Sequence, residues 1–222
     1  VGLQVNGIAG QFIVDNLQID NTAGIAGDAV RIEGTSDRGP TGGRVYIQSG
    51  VIQGTQGNGV FAQNSIVSLD SVTIAGSTAN AVFAYAAENN ITTISVVDSS
   101  LTTTSIHGVR LEALGTALGI GEINATILRN QIDVTGNCID AAVTNTFGQI
   151  ALNAQSNYGT LASYAPAPGL GPINLDNSLG GFLGIFQAST AAVTLSNNGV
   201  TVSSAGIITT NVPVPVPPPP TP

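Results

Sequence analysis

Asn58-Gly59-Val60 is the stretch that decides the fold, because degraded copies of it recur along the 222-residue chain. With the apolar residue as anchor, matching sites fall at Ile8, Val30, Val60, Val82, Val109, Ile139, Ile185 and Ile207. A small residue precedes each anchor: Gly7, Ala29, Gly59, Ala81, Gly108, Cys138, Gly184 and Gly206. The position before that holds Asn6, Asp28, Asn58, Asn80, His107 and Asn137, then lapses to Leu183 and Ala205. The anchors are separated by 22, 30, 22, 27, 30, 46 and 22 residues, which describes a unit of 22 or more with loops of variable length.

A second pattern runs between the anchors. An apolar pair two apart is followed, across a polar turn, by another apolar residue five positions on. Examples are Phe12/Val14 then Ile19, Val45/Ile47 then Ile52, Val67/Leu69 then Ile74, Ile94/Val96 then Leu101, Ala125/Ile127 then Ile132, and Val193/Leu195 then Val200. Alternation also continues past the anchors, to Ile32, Ala62, Ala84, Leu111 and Ala141. Period-2 runs bounded by Asn, Asp, Ser and Gly are strand signals, three short ones to a unit. One unit cannot bury its own apolar face. Units stacked at roughly 4.8 Å per strand spacing enclose a shared core, so the expected fold is an all-β parallel solenoid of about eight turns. In that coil the anchors point inward, each contributing roughly 1.5 to 3 kcal/mol when buried. The Asn column can hydrogen-bond from turn to turn as a ladder of Asn6, Asp28, Asn58, Asn80, His107 and Asn137.

The Asn-Gly-Val columns, three strands per unit and variable loops at one corner resemble the right-handed parallel β-helices of the pectin-lyase-like superfamily. That resemblance covers about residues 1–211, interrupted between 140 and 184, and right-handedness is what it implies. The 46-residue interval contains an expected loop excursion at about 158–180, including Pro166-Ala167-Pro168-Gly169. A shorter insertion is expected from Thr35 to Gly43. Residues 212–222 form a Pro-rich tail expected to run as extended polyproline II and to dock on its own coil or on a neighbouring copy. Starting at Val1 within a repeat and ending in prolines, the sequence is expected to be a piece of a longer polypeptide.

Composition narrows the functions. Thirteen acidic residues stand against five arginines, with no lysine, giving a formal charge of −8. Phosphate neutralisation needs clustered cations, so nucleic acid is not an expected partner. Attraction to an anionic membrane surface is disfavoured likewise, and no apolar run is long enough for a spanning helix. One cysteine, Cys138, allows no internal disulfide or multi-cysteine metal site, and its place in the small-residue column makes it a packed thiol.

Candidate site residues follow from the strand pattern. The positions one and three after each anchor face outward. The first column is expected to hold Arg31, Phe61, Phe83, Arg110, Asp140 and Phe186, the second Glu33, Gln63, Tyr85, Glu112 and Ala142. Phe61, Phe83 and Tyr85 thus form an aromatic strip bracketed by Arg31/Glu33 and Arg110/Glu112. Sugar rings stack on aromatic faces while flanking charges bind hydroxyls, so the strip is the candidate glycan-binding face. Cross-strand pairing alone also accounts for it. Glu112 and Asp140, one turn apart, are the weak candidates for a glycosidase carboxylate pair. His107-Gly108 with Arg110 is similar to the glycine-flanked His and nearby Arg of β-helical polygalacturonases. It departs from them at Ile106, and no adjacent aspartate pair accompanies it, so His107 is read as a ladder member. A lyase would need a base and an acidic calcium cluster. The acids here are dispersed, and Asp15, Asp70 and Asp98 are better explained as turn caps than as calcium ligands; no other cofactor is implied. Thr102, Thr103 and Thr104 make one patch without the repeated ladder that ice binding requires.

The leading expectation is a non-catalytic structural or adhesive module of a secreted or cell-surface protein, similar in general type to passenger domains of bacterial autotransporters. Its partners would be glycans or other surface proteins. The alternatives are a polysaccharide-active hydrolase or lyase, or its inactive remnant, and a self-assembling surface component associating through the Pro-rich tail.

Overall fold

A computed structural model describes residues 1–7, 10–20, 26–34, 43–102, 106–160, 171–217 and 219–220. The chain passes back and forth between two sheets in which every strand pairing is parallel. This all-β arrangement is consistent with a β-helix-like coil. Among the described residues the anchor sheet has eight strands: Leu3–Asn6, Val30–Glu33, Val60–Gln63, Asn80–Ala86, His107–Ala113, Ile139–Val143, Ile173–Asn177 and Val202–Gly206. The second sheet stacks Gln11–Asp20, Arg44–Gln53 and Ile66–Ala75, then later strands that end at Phe182–Ile185 and Ile208–Thr209.

Register fixes which residues share a column. Val30, Val60, Val82, Val109 and Ile139 pair in succession, as the triplet predicts. Both ends of the column differ from the sequence expectation. Leu3 rather than Ile8 pairs with Val30, Ile173 rather than Ile185 follows Ile139, and Val202 rather than Ile207 closes the column. Ile8 itself lies outside the described residues. Ile185 belongs to the second sheet, opposite Leu152, and Ile207 falls between two strands and is exposed. Ile173 supplies the missing anchor, so part of the stretch expected to leave the coil at 158–180 belongs to the sheets. Tyr158 still bridges to Gln131, and Ile173–Asn177 is strand. Residues 161–170, with the Pro166-Ala167-Pro168-Gly169 segment, lie outside the described residues, as do 35–42 and Thr103 and Thr104.

The apolar pairs of the second sheet stack as expected through Val45, Val67, Ile94 and Ala125, and Leu152 rather than Val193 continues the column. In the early levels, the two strand segments around the polar turn are one ten-residue strand with a left-handed residue at its middle: Asn16, Ser49 or Ser71. In later levels they part at Asp98 and Arg129, which take the same conformation. The segment Val193/Leu195 is not a strand. It lies in a short helix, Thr190–Ser196, whose N-cap Ser189 accepts from the Ala192 amide. An alanine-containing run behind a serine cap favours helix. Val193 is buried while Leu195 is 81% exposed.

A column that sequence reading missed runs through Val72, Ser99, Asn130 and Asn157, each immediately after a left-handed residue, and on to Asn197. The Val72 amide donates to Ser99 Oγ at 3.1 Å, and the Ser99 amide to Asn130 Oδ1 at 2.9 Å. Asn130 Nδ2 donates to Asn157 Oδ1 at 2.9 Å, and Asn157 Nδ2 to Asn197 Oδ1 at 2.8 Å. These three asparagines are fully buried, so this is a ladder inside the core wall.

The apolar columns make one continuous core, from Val30 through Leu69 and Ile127 to Leu175. Cys138 is buried in it, and burial pushes its thiol pKa far above the ordinary value. At the carboxyl end the tail begins on its own chain: Asn211 N–H donates to Gln187 O at 3.1 Å and Val212 N–H to Ile185 O at 2.9 Å. Pro217 is buried.

Candidate functional site

The outward columns are formed as the alternation requires. Val30, Val60, Val82 and Val109 point into the core, so the next residue on each strand must point out. Parallel register then aligns Arg31, Phe61, Phe83, Arg110, Asp140 and Asn174. The second column aligns Glu33, Gln63, Tyr85, Glu112, Ala142 and Asp176. Asn174 takes the place expected for Phe186, because Ile173 is the anchor of that level. Phe186 instead follows the second-sheet strand Phe182–Ile185 and stands away from this face.

The aromatic strip is assembled. Phe61 and Phe83 meet edge to face with centroids 5.5 Å apart, and Phe83 and Tyr85 are 6.1 Å apart. The Arg31 guanidinium lies 4.5 Å from the Phe61 centroid. Phe61 is consequently only 7% exposed, whereas Phe83 and Tyr85 are half-buried. A ligand approaching the strip meets Phe83 and Tyr85; the Phe61 ring is covered.

Each flanking arginine is held by two carboxylates. Arg31 Nη1 donates to Asp28 Oδ2 at 3.0 Å and Nη2 to Glu33 Oε1 at 2.7 Å. The Glu33 hydrogen bond raises the Arg31 pKa above its ordinary value, against partial desolvation. Arg110 Nη1 pairs with Asp140, and Nη2 donates to Glu112 Oε2 at 3.1 Å. Asp140, directly opposite Arg110 on the neighbouring strand, and Glu112, two residues along the same strand, therefore grip one guanidinium from two sides.

Asp140 is almost wholly enclosed. Oδ1 accepts from Asn174 Nδ2 at 2.7 Å and from Asn137 Nδ2 at 3.3 Å, while Oδ2, besides Arg110, lies 3.4 Å from His107 Nε2. A general acid or nucleophile must reach substrate, and each of these oxygens is already engaged by the protein.

The ladder column on this side holds from Asp28 to Asn80. Asn58 Nδ2 donates to Asp28 Oδ1 at 2.8 Å, and Asn80 Nδ2 to Asn58 Oδ1 at 2.9 Å. Each upper backbone amide donates to the same oxygen, at 3.1 and 3.2 Å. Asp28 suits the base of this run, having acceptors only. Asn6 is not a member, since it pairs with Glu33 in a register that puts Leu3 in the anchor column. The run breaks at His107. Its Nδ1 accepts the Asn137 amide at 3.3 Å, which leaves the proton on Nε2, facing Asp140. Asn80 Oδ1 is left buried without a partner. Burial and the Arg110 charge lower the His107 pKa, favouring the neutral ring.

Among the described residues, no three His, Cys, Asp or Glu side chains gather as a metal site. Asp15 and Asp70 share a register column through Gln48, whereas Asp98 sits one position later, in the left-handed column. Asp98 is paired with Arg129 in a two-pronged bridge at 2.7 Å, and that hydrogen bond lowers its pKa. No helix among the described residues is long and apolar enough to cross a membrane. No family model, curated protein or solved structure matches the chain.

Proposed function

We propose that residues 1–211 are a right-handed parallel β-helix of about eight turns, each with three strand segments, and that it serves as a non-catalytic structural or adhesive module at the cell surface or outside the cell. Its recognition element is the outward strip of the anchor sheet, where Phe83 and Tyr85 offer ring faces to a glycan and the Arg31/Glu33 and Arg110/Glu112 pairs offer hydrogen bonds to its hydroxyls.

The observation that carries this reading is the sharing of Arg110 between Glu112 and Asp140. The two carboxylates that would serve a glycosidase are committed to one cation and to the asparagines around it, while the neighbouring aromatic rings remain accessible. Such a surface favours binding over turnover. Its fixed side chains also lower the ordering cost of binding.

A screen of neutral and acidic polysaccharides tests the proposal with two readouts. Binding without new reducing ends or unsaturated products, lost in Phe83→Ala, supports it. Product formation abolished by Glu112→Gln would replace it with a hydrolase or lyase. Absence of binding to every glycan would remove the recognition element.

A further inference from the structure

We propose that two copies of this chain pair through a row of apolar turn tips at one corner of the coil, where the chain leaves the anchor sheet for the second sheet. Three successive levels cross that corner on turns of one design: Thr116-Ala117-Leu118-Gly119, Asn145-Thr146-Phe147-Gly148 and Asn177-Ser178-Leu179-Gly180. In each, the amide of the closing glycine donates to the carbonyl of the first residue, at 3.1, 3.2 and 3.1 Å. The residue before the glycine therefore holds the same turn position every time, and it is Leu, Phe and Leu.

The fold itself has no use for an apolar side chain there. Leu118 is 84% exposed, Phe147 42% and Leu179 56%. Turns ordinarily carry Asn, Asp, Ser or Gly. The corner one level earlier follows that rule: Asn90 N–H donates to Ala87 O at 3.0 Å, with the left-handed Asn89 in the equivalent place. One level beyond Leu179 the corner is Ile207, 80% exposed. These corners stack directly. The Gly115 amide donates to Asn145 Oδ1 at 3.2 Å, a Cβ on Gly181 would lie 2.5 Å from Asn145 O, and Asn177 Nδ2 donates to Ile207 O at 2.7 Å. Four exposed apolar side chains thus occupy one edge on levels roughly 4.8 Å apart, the kind of contiguous patch that marks an interaction surface.

Charge and spacing select a second copy as the occupant. None of the three turns contains an ionisable residue, and neither does Ile207, although the chain carries a formal charge of −8. Two copies that repel elsewhere can meet along this edge without opposing like charges. A two-fold axis sets the rows antiparallel, with the Leu118 end of one against the Ile207 end of the other, and the shared level spacing lets contacts recur along the row. An anionic membrane fits less well, because the row brings no cation and lies beside Asp176, whose carboxylate is held by the Ser178 amide at 2.9 Å. A standard interface buries roughly 800 Å² on each partner, and four side chains supply less, so the pairing is weak and reversible. It depends neither on the strip of Phe83 and Tyr85 nor on the Pro-rich tail.

Sedimentation equilibrium of the full chain, from micromolar to millimolar concentration, tests the proposal. The expected result is a monomer–dimer equilibrium that stops at the dimer, weakened at least tenfold in Phe147→Ser and in Leu179→Ser while each variant keeps the parent unfolding midpoint. Cys138 is buried, so introduced thiols report alone. Thr146→Cys, exposed beside Phe147, should form an intermolecular disulfide with oxidised glutathione as oxidant, and Gln18→Cys, exposed on the first level of the second sheet, should not. A chain that stays monomeric throughout would overturn the proposal. So would open-ended polymers, a dimer indifferent to both serine variants, or cross-linking at Gln18→Cys in place of Thr146→Cys. Flotation of a monomeric chain with phosphatidylcholine vesicles, lost in Phe147→Ser, would assign the row to a membrane surface instead.

Discussion

Asn130 Nδ2 donates to Asn157 Oδ1 at 2.9 Å, with both residues fully buried, and the Asn130 backbone amide donates to the same oxygen at 3.1 Å. One side-chain oxygen thus serves two donors from the level below, and the Asn157 Nδ2 in turn satisfies Asn197 Oδ1 and Ile127 O. Ladder and sheet are welded at this corner because these groups are buried out of reach of bulk solvent.

Asn157→Ala should therefore be far more damaging than Asn58→Ala. Each buried group left without a partner costs about 1–3 kcal/mol, and truncating Asn157 strands several at once, for a total of about 3–5 kcal/mol. Asn58 is only half-buried, so water can replace its bonds and the loss should be about 1 kcal/mol. Denaturant unfolding of the two variants measures the difference, and equal losses would show that the buried corner has no special weight.

The small-residue column makes a steric prediction. A Cβ on Gly59 would lie 2.3 Å from Ile74 Cγ2 and 2.7 Å from Ala81 O, and one on Gly108 would lie 2.4 Å from Ile132 Cγ2. Neither glycine has a positive φ, so the column is small for want of space and not to permit a left-handed turn. Gly59→Ala and Gly108→Ala should each cost about 1–3 kcal/mol by overpacking. Gly10→Ala, where nothing lies within 4 Å, should leave the unfolding midpoint nearly unchanged.

Much of this architecture was legible because strand register is periodic and the core is apolar. Five anchors from Val30 to Ile139 share one sequence signature and one column. The ends were misassigned by the same signature. Asn6-Gly7-Ile8 matches the triplet better than Val1-Gly2-Leu3 does, and Gly184-Ile185 better than Pro172-Ile173, yet backbone pairing selects Leu3 and Ile173. Any inward aliphatic residue with a tolerable neighbour can anchor a strand, so the small residue is neither necessary nor sufficient. The buried ladder was hidden for a different reason. Ser99, Asn130, Asn157 and Asn197 look in sequence like ordinary turn residues, and only stacking shows that each faces the next. On the outward face the alternation placed Arg31, Phe61, Phe83, Tyr85 and Arg110 in the columns they occupy, but misplaced Phe186, whose position Asn174 takes. It could not show that Arg31 would cover Phe61 or that Asp140 would be enclosed, because both depend on side-chain reach across levels.

Acid should weaken the fold partly through His107. Its pKa in the folded chain lies below the ordinary 6.5, because of burial first and the Arg110 charge second. As pH falls below 6.5, the unfolded chain takes up the proton before the folded one, so stability declines until pH passes through the folded value. The depressed carboxyls of Asp98 and Asp176 act in the same direction at lower pH, where their contribution is lost as they protonate. His107→Asn removes the first segment alone. It also places in the ladder a side chain able to donate to the orphaned Asn80 Oδ1, for a gain of about 0.5–1.5 kcal/mol. Stability curves from pH 7.5 to 5 should flatten in this variant, and an unchanged slope would exclude His107 as the source.

Asp140 and Glu112 share Arg110 but should respond unequally to loss of the carboxylate. Glu112 is partly exposed, and exposed pairs are worth about 0–1 kcal/mol, so Glu112→Gln should unfold near the parent midpoint. Asp140 is enclosed with Arg110, His107, Asn137 and Asn174 around it. Asp140→Ala leaves the guanidinium without its inner partner and strands two amide donors, a loss of about 3–5 kcal/mol. The contrast has a practical consequence for any assay of turnover. Loss of activity in a variant at position 140 would be confounded by unfolding, whereas Glu112→Gln keeps the fold and isolates the chemistry. Paired measurement of the unfolding midpoint in both variants decides the matter, and comparable destabilisation by the two would mean that the carboxylates are equally solvated and that the asymmetric enclosure of Arg110 is absent in solution.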